Sequence, residues 1–207
     1  MSLDADVYNE RDGDIVATAA FEFGDMAGLG GTSLELCQTD ELRINGEIAR
    51  EWENPITNRL SYHVTFDEPQ DEYEFVFSRE GEDDVIATVS QPPAFDIVSP
   101  GEQETLSRAD GLTVEWDPAG DDLIEIFLFP ESTDGDSCME SQSETVDDVG
   151  AYTFLATEIA KPDGSTVDQC RVDVQLQRTQ DGDYPDEFDN GSIRARQNRW
   201  VEFISNP

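Results

Sequence analysis

A chain of 207 residues holds one large domain or two of about 100 residues each. It carries 48 Asp and Glu against 12 Lys and Arg, a formal net charge of −36, and residues 1–98 and 99–207 each contribute −18 of it. A surface this anionic repels phosphate backbones, which excludes nucleic acid as a partner, and the eleven Phe, five Tyr and three Trp set among β-branched residues argue against a disordered acidic chain.

Lys161 is the single lysine, and the acid shows no concentration in a tail. Crowded surface carboxylates repel one another, and salt quenches that repulsion as the Debye length falls from about 10 Å at 0.1 M to about 3 Å at 1 M. The composition therefore reads as a halophilic, salt-adapted surface. No apolar run is long enough to span a bilayer. The acidic start after Met1-Ser2-Leu3 suits an exported chain, periplasmic or extracellular, with a lipid anchor added through a removed signal.

Residues 1–13 read as a polar, frayed start. From Ile15 the alternation Ile15, Ala17, Ala19, Phe21, Phe23 marks a strand with one apolar face. Residues 24–31, with four glycines, read as a loop. Leu34 and Leu36 mark a short strand, and Cys37 reads as a small buried hydrophobe beside it. Asn45-Gly46 sits between two alternating runs and supplies the positive-φ pair of a type I′ hairpin. Helical turns are expected at most near residues 48–53. Strands follow over 60–66, 73–78 and 85–89.

Pro92-Pro93 reads as a domain boundary. Beyond it, Leu112, Val114 and Trp116 face one way and Thr113 and Glu115 the other, with Trp116 in the core. Residues 123–129 are apolar on both faces and predict a central strand covered on both sides or at a domain contact. Residues 131–148 read as a long acidic loop holding Cys138. Strands are expected over 151–155 and 170–178, an acidic loop over 181–191, and a last strand over 192–205. Short strands at spacings near ten residues predict an all-β fold of two tandem antiparallel β-sandwich domains, 1–93 and 94–207.

Leu112-Thr-Val-Glu-Trp-Asp-Pro118 resembles the second strand of fibronectin type III and immunoglobulin-like modules, in which such a tryptophan is followed by proline. Asp148-Val-Gly-Ala-Tyr152 is similar to the Asp-x-Gly-x-Tyr corner of immunoglobulin domains, although Phe154 stands where their cysteine would be. The resemblance covers residues 95–207 in strand order and extends to exported bacterial envelope proteins of unknown function built from such modules. It implies a scaffold and a compartment, without an activity.

The residues that could carry chemistry are few. His63 is the only histidine, on the polar face of a strand, and a catalytic triad or metal-histidine site needs more than one. No Gly-x-Ser-x-Gly elbow occurs. Carboxylate pairs for glycoside hydrolysis are too abundant to be informative. Asp181, Asp183, Asp186 and Asp189 form the stretch best suited to calcium, but Pro185 and Asp186 break the EF-hand pattern. Trp52 and Trp200, in polar surroundings, are candidates for sugar or protein contacts. Cys138 and Cys170 share the second half with no Cys-x-x-Cys spacing, so a disulfide between them is expected, contributing roughly 3–4 kcal/mol in the chain-entropy model. The expectation is a non-enzymatic envelope module that binds a protein or polysaccharide or serves a structural role, without a cofactor, the alternative being a calcium- or carbohydrate-binding accessory module.

Overall fold

The computed structural model describes residues 1–23, 32–120, 122–133 and 135–207, so the glycine-rich stretch 24–31 lies outside the described residues. The chain forms two compact units, one from Met1–Pro92 and Thr179–Gln197, the other from Pro93–Arg178 and Asn198–Pro207. The break at Pro92/Pro93 falls on the proline pair. Residues 179–197, which the sequence reading placed in the second domain, belong to the first unit, because strand pairing outranks chain order there.

The first unit contains β1 (Ser2–Asn9), β2 (Ile15–Phe23), β3 (Thr32–Ser33), β4 (Glu41–Ile44), β5 (Glu47–Ile48), β6 (Arg50–Glu53), β7 (Leu60–Phe66), β8 (Glu72–Ser78) and β9 (Val85–Ser90). One sheet runs β1-β2-β7-β6, with β3 on β2, and the other runs β5-β4-β8-β9. Their inner faces meet in one core, with Phe21 against Phe77 at 5.1 Å between ring centroids. Strands one, two, five and six of the sandwich lie on one sheet and three, four, seven and eight on the other when the short β3 is set aside, which is the immunoglobulin arrangement. Asn45 and Gly46 hold φ of 48° and 81° and close the β4–β5 hairpin. The segment 48–53, where helical turns were allowed for, is strand.

Residues 2–9 form a full strand where the sequence suggested a frayed start. Leu3, Ala5 and Val7 are buried, while Asp4, Asp6 and Tyr8 alternate outward. The outward acids hid a strand whose inner face carries small and branched residues. Strand β1 pairs antiparallel with β2 and parallel with the opening of β19 (Asn190–Asn206). Leu34 and Leu36 fall just past β3 and pack at the edge of the core. Cys37 is an exposed free thiol instead of a buried one, since the chain has left the sheet by that point.

The second unit contains β10 (Asp96–Ser99), β11 (Thr105–Ser107), a 3-10 turn at Arg108–Asp110, β12 (Leu112–Asp117), β13 (Leu123–Pro130), β14 (Ser132–Thr133), β15 (Asp136–Ser137), β16 (Gln142–Asp147), β17 (Ala151–Phe154) and most of β18 (Cys170–Asp181), and it takes the second half of β19. Sheet β10-β12-β17 faces sheet β16-β13-β18-β19, with β11 parallel to β19. This is the strand distribution of a fibronectin- or immunoglobulin-type sandwich, with Trp116 on its second main strand and 3% exposed. The region 131–148, expected as loop, includes the edge strand β16, where the alternation is half exposed throughout. Strand β13 is central in its sheet but buried on one face only: Ile124, Ile126 and Leu128 point into the core, while Leu123 and Phe129 are about half exposed. The Cys138–Cys170 disulfide joins the segment after β15 to the start of β18, with both cysteines in the core.

One polar group is set deep in this sandwich. Asp148 and Arg178 are both nearly inaccessible and form a bidentate pair, Nε to Oδ2 at 2.6 Å and Nη2 to Oδ1 at 3.2 Å. Trp116 Nε1–H donates to the same carboxylate at 2.5 Å. The guanidinium also donates to the carbonyls of Pro93 and Pro118 and lies over the Phe95 ring at 4.4 Å. Burial alone would raise the Asp148 carboxyl, but the hydrogen bonds from Arg178 and Trp116 prevail and hold it below the usual carboxylate range. The charges are paired and saturated with hydrogen bonds, so they serve as the joint at which the strand ends around 117–120, 148 and 178 meet.

Candidate ligand-binding faces

The outward face of β13, β18 and β19 in the second unit gathers aromatic and hydrogen-bonding side chains. In the β13–β18 register Phe127 stands opposite Gln175 and Phe129 opposite Asp173, and such partners project to the same side of the sheet. Gln175 Nε2 donates to Asn198 Oδ1 at 3.2 Å, and Arg171 lies 3.8 Å from Glu202. These contacts step down β18 as they step up β19, so the pairing is antiparallel and sets Trp200 across from Asp173. The result is a row Phe129–Asp173–Trp200, with Phe127, Gln175 and Asn198 in the next row. Phe127 and Phe129 stack with parallel rings 5.8 Å apart. Phe129, Pro130, Glu131, Arg171, Asp173 and Glu202 line a groove of about 360 Å³.

Trp52 lies in the first unit, on the edge strand β6, opposite Ser61 and 47% exposed. Trp52 and Trp200 are thus features of separate units and are taken as separate sites. Along the same side of β6 and β7, Arg50 stands opposite His63. On the next strands the row continues through Thr18 and Asp6 to Arg194. Asp6 bridges Arg196 at 2.9 Å, yet burial outweighs the two arginines and pushes its carboxyl up to about 6. Its Oδ1 is buried without a hydrogen-bond partner.

Three of the four calcium candidates are engaged separately. Asp181 pairs with Arg194 at 3.4 Å, and Asp189 pairs with the terminal amino group of Met1 at 2.6 Å. Asp183 bridges the backbone of Thr88. Among the described residues no three His, Cys, Asp or Glu side chains converge as a metal-binding group, and Asp181, Asp183, Asp186 and Asp189 are not brought together as one.

Sequence reasoning singled out Trp200 and missed its companions. Phe127 and Phe129 were visible as the second apolar face of residues 123–129, but that face was assigned to burial. Asp173 carries no signal of its own, since nothing in the sequence says which strand pairs with β18.

Two sheets packed over one core in each unit define an all-β protein of immunoglobulin- and fibronectin-like sandwiches. No family model and no curated protein matches the chain. Among solved structures it is similar to the fibronectin(III)-like modules of Clostridium thermocellum CbhA, at 10% identity over 98% of this chain and 90% of that one, with a TM-score of 0.27. It is also similar to the IG1+IG2 fragment of DIP-gamma, at 5% identity over 99% of this chain and 95% of that one, with a TM-score of 0.26. The assignment of the sandwich rests on the strand order and the two cores described above.

Proposed function

We propose that the protein is a non-enzymatic binding module of the cell envelope whose second unit holds a neutral polysaccharide. The observation that carries this reading is the row Phe129–Asp173–Trp200. A sugar ring offers an apolar C–H face and a rim of hydroxyls. Aromatic side chains cover the first, and the carboxylate and amides of Asp173, Gln175 and Asn198 bond the second. A flat sheet face suits an extended chain better than a small molecule. Neutral glycan also avoids the long-range repulsion that a net charge of −36 imposes on polyanions. The Cys138–Cys170 disulfide supports an oxidising, exported location.

The test is a titration of soluble neutral oligosaccharides (cello-, xylo- and manno-hexaose) followed by tryptophan fluorescence. Saturable change with at least one of them is expected. Trp200→Ala and Phe129→Ala should each weaken it by tenfold or more, about 1.4 kcal/mol, while thermal stability holds. A response to none of the sugars, or one that survives both substitutions, would count against the proposal.

A further inference from the structure

The Arg50 side chain is exposed and makes no hydrogen bond or ion pair with any described residue, in a chain with four carboxylates for every base. Arg43, Arg59, Arg79, Arg171, Arg178, Arg194, Arg196 and Arg199 all have carboxylate partners. Arg50 instead faces His63 across the β6–β7 ladder, and the His63 imidazole likewise makes no hydrogen bond with a described residue. Both line a groove of about 450 Å³ within the first unit, together with Asn45, Ile48, Thr65 and Gln70. Glu47 and Asp67 also line it, yet neither pairs with Arg50. Trp52 follows two residues along β6, on the same side of the sheet as Arg50, and is about half exposed.

We infer that this groove is a second binding site, and that it takes a sugar bearing a carboxylate, a uronic acid unit. The guanidinium fork matches the two oxygens of a carboxylate, and an imidazole N–H or the Thr65 hydroxyl supplies a further donor. The indole of Trp52 gives the ring a flat apolar surface beside that anchor. The flanking Glu47 and Asp67 disfavour a doubly charged phosphate and tolerate a single charge held by Arg50. At 1 M salt the long-range repulsion from the rest of the chain is screened over about 3 Å, and a contact pair inside the groove survives better than that field. The site stands apart from the Trp200 face and does not depend on it.

Because His63 is the only histidine, its imidazole proton signals report on this groove alone. The experiment follows those signals by NMR at 1 M NaCl while galacturonic acid, galactose, acetate and inorganic phosphate are added in separate titrations. Galacturonate should shift the signals saturably, with Kd on the order of 1 mM. Acetate should bind at least fivefold more weakly, and galactose should leave the signals in place. Arg50→Gln should abolish the shift, and Trp52→Ala should reduce galacturonate binding to the level of acetate. Arg50 and Trp52 are exposed, and thermal melts of both variants check that each keeps the native fold. A phosphate response equal to that of galacturonate would overturn the inference, as would an unchanged galacturonate response in Arg50→Gln or no response in the native protein. The fluorescence titration of the neutral sugars fails or succeeds separately.

Discussion

At the scale of single residues, the chain handles its buried charge in two ways. Asp148 is saturated by Arg178 and Trp116 and stays ionised. Asp6 has one partner, Arg196, and a buried oxygen with none, so its carboxyl is raised from 3.8 to about 6. A carboxyl raised on folding binds its proton more tightly in the native state than in the unfolded one. Its ionisation therefore costs stability once the pH rises above the unfolded value, and that cost is fully developed above about 6. Relative to Asp6→Asn, the native protein should lose on the order of 2 kcal/mol between pH 4 and pH 7. Urea denaturation of both proteins at the two pH values checks this, and parallel curves would rule it out. Neither behaviour could be read in advance. Asp6 and Asp148 look alike in sequence, and what separates them is the side chain that long-range pairing brings to each.

At the scale of elements, alternation in the sequence located most strands, and the exceptions share a cause. Strand β1 was passed over because its outward positions are acidic. The outer face of β13 reads as covered because its outward positions are aromatic. Alternation reports which residues share a face but not what that face meets. Pairing partners at long range were equally illegible, and the parallel β1–β19 ladder is the clearest case. A specific demand exists there. Gly191 stands opposite Leu3, and a Cβ at that position would lie 1.8 Å from the Leu3 carbonyl oxygen. Its φ of 142° disfavours any side chain as well. Gly191→Ala should therefore destabilise the first unit by about 2–4 kcal/mol, as other strained backbone substitutions do. A thermal melt of the variant unchanged from the native protein would show that the two strands are not held in this register.

At the scale of the whole molecule, the even spread of charge predicts a stability that follows ionic strength. The Tm should rise steadily from 0.1 to 1 M NaCl and equally in KCl, because screening has no preference among monovalent cations. Calorimetry showing no rise would mean that the carboxylates are spaced widely enough to ignore one another. A saturating rise at low CaCl₂ unmatched by MgCl₂ would point to a discrete ion instead.

The route of the backbone carries a consequence for heredity. It passes between the units at 92/93, again at 178/179 and again at 197/198. A gene segment ending at the proline pair would thus transmit the first sandwich without the β19 portion that flanks β1, and the remainder would carry that portion as an orphan. Exchange of either half alone would therefore break the β1–β19 pairing.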